Sequence, residues 1–346
     1  MTNKTFILDL VPGEQLERYI VREGVSKFRT KQILEWVYKK KSDSFSQFSN
    51  LPADFRKHLE ENYCLRSFTL KDKKSSKIDA TVRYSFNTPD GFEVITVFLP
   101  HENRNSICLS SQIGCPIKCS FCASGKVPFK RNLTRGEILE QILQVEKDSG
   151  AVVDSILFMG MGEPLLNYDN VVSAIKSMVD PEQFGYGRRN IVLSSAGFVP
   201  QIMKLSDEKV AVRLALSLHA PDDQVREKII TGKIPYFVED ILQAGLEYGR
   251  KTKSKITIEY VLIDGVNNTQ ADAAALAALV GRKLDWNDKV QINLIPYNPT
   301  GVDKYKSPSK ENVRAFKDYI CDTGLTAITR ESRGNDIGAA CGQLII

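Results

Sequence analysis

Three cysteines are grouped in one short stretch of this chain, Cys115-Pro-Ile-Lys-Cys119-Ser-Phe-Cys122, with a glycine nearby on each side. Thiolates at this C-x3-C-x2-C spacing can converge on one iron–sulfur cube, because cysteine thiolates hold such clusters. Three thiols leave one iron of a four-iron cluster without a protein ligand, and an open metal position can bind a substrate, as in catalytic zinc sites. A zinc knuckle is the alternative, but no fourth Cys or His lies between Cys122 and His219. The spacing favours a cluster with one open iron.

Further candidate residues follow predicted strands, at the edge of a parallel sheet where ligands bind. Gly162 and Glu163 come directly after Phe158-Met-Gly-Met, and Glu163 offers a carboxylate to a bound cation. Gly-Glu-Pro is also a common turn, and serines at such positions also cap helices. Each of these residues taken alone could therefore bind a ligand or have only a structural role. The candidates at the later strand ends are Ser195, Ser217, Leu218, His219 and Asn298.

The elements that must position these residues begin near residue 106, where strands and helices start to alternate as βα units around a parallel sheet. Strands are predicted near 106–111, 153–159, 189–195, 210–217, 256–262 and 289–296. Helices are predicted near 134–149, 168–179, 198–206, 236–250, 270–283 and 310–323. Six units are too few to close an eight-stranded barrel. The predicted fold class is α/β, with an open (β/α)6 partial barrel over residues 106–330.

Two smaller parts precede this barrel and a short tail follows it. Apolar residues recur at helical spacing between about residues 14 and 63, which predicts a small helical domain over residues 1–70. Residues 71–105 are predicted as an exposed loop at 71–77 and then a β-hairpin of two runs, 78–87 and 92–99. Residues 331–346 form a glycine-flanked tail that carries Cys341.

The composition is that of an ordinary soluble protein with a large core. The chain has 346 residues, of which 42% are hydrophobic and 26% charged. No apolar run reaches the roughly 18 residues of a membrane span, and the first residues lack a secretory signal pattern. Seven cysteines, three of them clustered, argue against an extracellular disulfide framework. We therefore expect a cytoplasmic protein without membrane association.

Positive charge is concentrated in the first third of the chain. The net charge is +5, and residues 1–100 hold 17 Lys and Arg against 13 Asp and Glu. The run Lys39-Lys40-Lys41 falls in the predicted helical domain. This run is either a solvated helix face or a surface that docks on RNA, and charge alone does not decide between them.

The cysteine motif resembles the defining motif of the radical S-adenosylmethionine superfamily. Nearly the whole chain resembles one family within it, the methyltransferases that modify carbon 2 of adenosine in large-subunit (23S) ribosomal RNA and in tRNA. Segment 162–167, Gly-Glu-Pro-Leu-Leu-Asn, is more similar to this branch than to the relatives that methylate carbon 8. The resemblance is carried by residues 28–38, 108–115, 158–164, 217–219, 293–299 and 339–343.

The resemblance implies a [4Fe-4S] cluster held by Cys115, Cys119 and Cys122, whose open iron binds S-adenosylmethionine. In the implied mechanism Cys341 takes a methyl group from one S-adenosylmethionine, and a 5′-deoxyadenosyl radical from a second activates that methyl for addition to the base. Cys108 then releases the product by forming a disulfide with Cys341. This disulfide would be transient, as most disulfides in cytosolic proteins are. The implied cofactor pocket comprises Gly162, Glu163, Ser195, Ser217, Leu218, His219 and Asn298.

The chain departs from the family pattern at two places. Family members carry a glutamate near the substrate base on the strand before Cys108, and this chain has Ile95 at that position. Glu93 lies two residues away, on the same strand face, and is our candidate proton acceptor. The family's Pro-Ile-Asn segment is replaced by Ile230-Thr-Gly-Lys233. Both departures concern the identity of the RNA base.

The resemblance also implies structured RNA as the substrate, an electron donor such as flavodoxin or ferredoxin, and a monomeric protein. Two other functions stay open at this point. One is a radical S-adenosylmethionine enzyme for a peptide or small molecule, against which Cys108 and Cys341 argue, because hydrogen abstraction alone needs neither. The other is an inactive RNA-binding iron–sulfur protein, for which Ile95 is the only indication.

Overall fold

The computed structural model describes residues 4–12, 15–22, 28–208, 210–285, 288–301 and 303–345. The strands in this part of the chain are β1 (Thr5–Phe6), β2 (Tyr63–Cys64), β3 (Thr69–Ser75), β4 (Val82–Asn87), β5 (Glu93–His101), β6 (Arg104–Cys108), β7 (Gln112–Ile113), β8 (Arg131–Asn132), β9 (Ser155–Phe158), β10 (Ile191–Ser195), β11 (Arg213–Ser217), β12 (Ile256–Leu262), β13 (Val290–Pro296) and β14 (Ala327–Thr329). The α-helices are α1 (Gln15–Arg22), α2 (Phe28–Leu34), α3 (Ala53–Asn62), α4 (Arg135–Ser149), α5 (Tyr168–Val179), α6 (Val199–Asp207), α7 (Asp223–Ile229), α8 (Val238–Thr252), α9 (Gln270–Gly281) and α10 (Lys310–Asp322).

One open sheet forms the centre of the protein. Its ten strands follow the order β14, β13, β12, β11, β10, β9, β6, β5, β4 and β3. Neighbours from β6 to β14 pair in parallel, with helices between them along the chain, which confirms the predicted α/β class and partial barrel. The sequence pattern does not predict β14 or α7, because each is too short to establish a period.

The β-hairpin extends the barrel sheet. β3, β4, β5 and β6 pair antiparallel in that order. The prediction of a loop is wrong for residues 71–75, because Thr69–Ser75 is strand β3. The predicted exposure is confirmed for all residues of this strand. Its lysine-rich sequence resembles a loop, yet charge also suits an edge strand, where it opposes pairing with another chain.

The predicted helices of the N-terminal region are confirmed, although residues 13–14 and 23–27 lie outside the described residues. Helix α4 of the barrel fastens this region through buried polar groups. Arg135, only 3% exposed, donates to the carbonyl oxygen of Leu8 and to Ser177 Oγ. Glu140 accepts hydrogen bonds from the backbone N–H groups of Ser67 at 2.9 Å and Phe68 at 3.1 Å. Hydrogen bonds of Arg135 and Glu140 therefore join the barrel to the N-terminal region.

Fully buried aliphatic residues hold the parallel strands against the helices, among them Ile107, Ile156, Leu193, Leu214 and Ile258. Their burial fixes the strand ends from which the candidate site is built.

In the described part of the chain, no helix combines the length and apolarity needed to cross a membrane.

Candidate active site

A cavity of about 180 Å³ lies at the carboxyl ends of the parallel strands. Most of the predicted site residues line it: Cys115, Cys119, Cys122, Gly162, Glu163, Ser195, Ser217, His219, Asn298 and Cys341. Cys108, Leu218 and Glu93 are outside its lining. A larger cavity of about 260 Å³ lies at α7 and the segment after it and contains no predicted site residue. The smaller cavity is therefore the candidate active site.

The cysteine loop, defined here as residues 114–125, takes its shape from local turns. Gly114 has φ +74°, and a Cβ there would lie 2.2 Å from the carbonyl oxygen of Pro128. Cys122 N donates to the carbonyl oxygen of Cys119 at 3.2 Å. Burial raises the pKa of Cys115 to about 12 and raises the pKa of Cys119 and Cys122. Buried thiols of this kind ionise when a metal centre compensates their charge.

Glu163 and Gly162 follow β9 in a tight turn. Glu163 accepts from the backbone N–H of Ala196 at 2.7 Å and of Leu165 at 2.9 Å. Gly162 has φ +106°, and a Cβ there would lie 2.6 Å from the Cβ of Gln112, so glycine is needed. Burial, the largest cause, raises the pKa of Glu163 to about 7. A cation in the cavity would favour the ionised carboxylate.

The serines and His219 occupy the next strand ends. Ser217 Oγ lies 3.0 Å from Ser194 Oγ, and Ser195 Oγ accepts from the N–H of Gly197 at 3.0 Å. His219 Nδ1 accepts from the N–H of Val261 at 3.1 Å, so the ring proton resides on Nε2. Burial lowers the pKa of His219 to about 3, with a smaller contribution from Arg226, and the ring is neutral.

Cys341 reaches the cavity because the tail is held by two segments distant in sequence. Asn298 Nδ2 donates to the carbonyl oxygen of Cys341 at 3.0 Å. The cysteine loop binds the next residues, through Ala123 N to Gly342 O at 2.7 Å and Ser124 Oγ to Leu344 O at 2.6 Å. Cys341 keeps exposed surface toward the cavity, yet desolvation still raises the pKa of its thiol, while Arg330 opposes that shift.

Cys108 lies beneath the same tail. It is buried at the end of β6, paired in register with Val97 on β5, although the predicted strand at 106–111 would place it near the strand's start. The predicted strand is displaced because pairing with β5 and β9 ends at this residue. Cys108 packs with Ile95 and with Ala339 and Leu344, which flank Cys341 in sequence. Burial raises its pKa, and Cys341 contributes to that shift.

Glu93 does not join the other predicted residues. It begins β5, and its carboxylate lies 2.5 Å from Lys71 Nζ. Ile95 is fully buried against Cys108. The role of Glu93 as a proton acceptor stays a prediction. Leu218 is fully buried, and its carbonyl oxygen accepts from Arg226 at 2.6 Å.

Two family models match separate parts of the chain. Residues 109–278 match the radical SAM superfamily, and residues 7–65 match the ribosomal RNA large subunit methyltransferase N-terminal domain. A probable dual-specificity RNA methyltransferase RlmN of Endomicrobium trichonymphae is 47% identical over 99% of this chain and 97% of its own length. The chain belongs to the RlmN family of radical SAM RNA methyltransferases.

Other RlmN family members and a solved structure agree with this assignment. The corresponding probable methyltransferase of Pseudothermotoga lettingae is 42% identical over 96% of this chain and 95% of its own. The crystal structure of a radical SAM methyltransferase from Sphaerobacter thermophilus has 34% identity and a TM-score of 0.92, and 98% of each chain is covered. The fold of this RlmN family member is therefore shared along nearly the whole chain.

Membership of the superfamily implies a four-iron cluster and S-adenosylmethionine as cofactors. Three thiols that line one cavity beside an acidic residue fit this pair of ligands. Among the described residues, no group of three or more His, Cys, Asp and Glu side chains is arranged to hold a single metal ion. Every cysteine of the chain is described and is a free thiol.

Sequence reasoning missed one polar residue of this cavity, Glu259, and a second one, Arg226, that lines the neighbouring cavity and binds the end of β11. Glu259 lines the cavity and is 4% exposed, and its Oε1 accepts from Asn293 Nδ2 at 2.7 Å and Thr257 Oγ1 at 2.9 Å. Its signal is a carboxylate within the apolar run of β12. Arg226 is buried and donates to the carbonyl oxygens of Ser217 and Leu218, which ties α7 to the end of β11.

Proposed function

We propose that this protein methylates carbon 2 of adenosine in 23S ribosomal RNA and in tRNA. The observation that carries the proposal is the cavity where Cys341, from the end of the chain, lies with the three thiols of the cysteine loop. The RlmN relatives are probable dual-specificity RNA methyltransferases, which supports the same conclusion. Methyl transfer through a carrier thiol needs such a thiol beside the cofactor site.

The chain's own residues supply the binding groups. Cys115, Cys119 and Cys122 would hold the cluster, and Glu163 would accept the ammonium group of S-adenosylmethionine. When bound, the two cofactors supply a carbon radical that can activate a methyl group. Ser195, Ser217, His219 and Asn298 line the remaining wall and offer hydroxyl, imidazole and amide groups to the cofactor.

Cys341 and Cys108 divide the thiol chemistry in this proposal. Cys341 would be the methyl carrier, since it lines the cavity. Arg330 favours its thiolate, which is the nucleophilic form. Cys108 would resolve the enzyme–RNA link by a transient disulfide, and its packing with Ala339 and Leu344 supports access to the neighbouring sulfur.

Nucleoside analysis tests this function directly. Purified, cluster-loaded protein is incubated with S-adenosylmethionine, a reductant and unmodified 23S ribosomal RNA or tRNA, and the digested RNA is compared with authentic methyladenosines by mass spectrometry. We expect 2-methyladenosine with the natural chain and none with Cys341→Ser. Formation of 5′-deoxyadenosine without any methyladenosine would contradict the proposal and favour a different substrate.

Three further properties accompany this proposal. RNA methylation of this kind takes place in the cytoplasm and requires an electron, so we propose cytoplasmic action with flavodoxin or ferredoxin as the donor. The monomeric state stays a prediction of the resemblance. Size-exclusion chromatography coupled to light scattering measures it, and a dimer mass would contradict it.

A further inference from the structure

Three arginines and a histidine lie together where the chain crosses from β14 to the turn between β5 and β6. We propose that this cluster, which comprises Arg104, Arg330 and Arg333 with His101 beside Arg333, binds phosphates of the RNA backbone beside the target base. The proposal rests on the RNA methyltransferase function and names the surface that this function would use.

Geometry brings these four residues together from two segments. His101 and Arg104 are register partners at the turn between β5 and β6. Arg333 Nη1 lies 2.9 Å from a ring nitrogen of His101, and its other amino group donates to the carbonyl oxygen of Asp79. Arg330 follows β14, where its backbone N donates to Leu294 O at 2.8 Å. The pKa of His101 is lowered by burial and then by all three arginines, which agrees with this proximity.

The cluster is exposed and lacks carboxylate partners. His101, Arg104 and Arg330 are exposed, and within the described residues no ion pair joins any of the three arginines to Asp or Glu. The side chain of Asp79 lies beside Arg333, but its two oxygens accept from the backbone N–H groups of Thr81 at 3.0 Å and Gly334 at 2.7 Å. In the described part of the chain, the guanidinium groups of Arg104 and Arg330 have no hydrogen-bond acceptor, and such groups are suited to bind phosphate through two parallel hydrogen bonds.

Position relates this surface to the reaction. Arg330 follows the carboxyl end of β14, which pairs with β13, and Asn298 just after β13 lines the cavity. Strands β6 and β14 are not hydrogen-bonded neighbours, so the sheet is open between them, and the tail crosses that gap. A nucleotide whose phosphates bind there would present its base at the gap, next to the methyl-carrying residue.

The lysines of the N-terminal helical region are differently placed. Lys40 Nζ lies 3.2 Å from a carboxylate oxygen of Glu35 and 3.7 Å from the centre of the Trp36 ring. Lys41 Nζ lies 3.0 Å from Glu146. Two residues of the run Lys39-Lys40-Lys41 are thus already paired within the protein, which leaves less free charge for RNA than the sequence suggests.

The test measures RNA affinity as a function of salt. The double variant R104Q/R330Q keeps Arg333, which fastens the tail, and is compared with R188Q/R189Q, which removes two exposed arginines from the amino end of β10. Binding of labelled 23S ribosomal RNA is measured by filter retention across a KCl series. Each lost phosphate contact reduces the slope of log affinity against log salt by roughly 0.7–0.9. We expect R104Q/R330Q to lose about two such contacts and R188Q/R189Q none.

Iron content and thermal unfolding midpoint are measured for both variants. Values equal to the natural chain, with the reduced slope, support the proposal. An unchanged slope in R104Q/R330Q, or an equal reduction in both variants, overturns it. A normal slope with slower cluster reduction by flavodoxin also overturns it and assigns the surface to an acidic electron carrier. If R104Q/R330Q does not fold, R330Q alone is expected to reduce the slope by about one contact, and an unchanged slope overturns the proposal. Failure of the methyltransferase function itself would appear separately, as absent methyladenosine in the natural chain.

Discussion

The cysteine loop and the C-terminal tail, residues 331–345, both supply thiols to one cavity but are fixed in different ways. Within the loop, Gly125 N donates to Cys122 O at 3.0 Å, so neighbours in sequence set its shape. The tail depends on distant partners, such as Arg83, which donates to the carbonyl oxygen of Ile345 at 2.7 Å. Local spacing specifies the loop, and long-range hydrogen bonds specify the tail.

The largest expected effect separates the two thiol sources. Cys119→Ala removes one of three predicted cluster ligands, so we expect loss of most bound iron and of all methyl transfer. Cys341→Ala removes the carrier thiol alone, so we expect full iron content without methyl transfer. Iron per chain and methyladenosine yield check both outcomes. Full iron in Cys119→Ala, or lost iron in Cys341→Ala, would break the comparison.

The hydrogen bonds between Glu140 and the N-terminal region lie outside both the cysteine loop and the tail. Removing them tests whether a substitution changes only its own region of the protein. Glu140→Ala leaves the N–H groups of half-buried Ser67 and buried Phe68 without their acceptor, and the buried group alone costs about 1–3 kcal/mol. We expect the free energy of unfolding, measured in urea, to fall by at least that amount, with iron content unchanged in the folded protein. Glu61→Ala, at an exposed ion pair with Lys57, is the control and should change stability by less than about 1 kcal/mol.

The long-range attachment of the tail can be weakened without replacing a cysteine. Ser124→Ala removes the hydrogen bond to Leu344 O, worth about 1 kcal/mol, so hydrogen exchange of the tail amides should accelerate about fivefold. Ser120→Ala, in the same loop, removes bonds to Ile229 and Tyr305 instead and should leave the tail unchanged. Equal acceleration in both variants would show that the loop and tail are not separately fixed.

The smallest expected effect is on the free energy of unfolding at low pH, through the ion pair of Asp90 with Arg131, which follows the cysteine loop. Arg131 follows the loop on β8 and binds both oxygens of Asp90, at 2.6 and 2.9 Å, which lowers the pKa of Asp90 to about 2. Because the folded-state pKa is lowered, this stabilisation is complete above about pH 4 and is lost as the pH falls toward 2. We expect Asp90→Asn to show a shallower loss of stability over this window than the natural chain. Parallel pH curves for the two proteins would contradict the assignment.

The parts that could be predicted from sequence are those with a repeated or local signal. The alternation of strands and helices and the spacing of Cys115, Cys119 and Cys122 are of this kind. Strand β3 was not predictable, because an edge strand can be as lysine-rich as a loop. The position of Cys108 depends on where pairing with β5 ends, and the place of Glu259 depends on which face of β12 turns inward. Neighbouring residues encode neither of these, although a carboxylate in the apolar run of β12 marks Glu259 as unusual.

The central claim is that Cys341 carries the methyl group, and peptide mass spectrometry tests it most directly. Protein purified with its cluster is digested, and the peptide that contains Cys341 is compared with the same peptide from Cys119→Ala. We predict that the peptide from the natural chain is heavier by one methylene group and that the variant's peptide is unmodified. An unmodified Cys341 in protein that holds iron and cleaves S-adenosylmethionine would contradict the account.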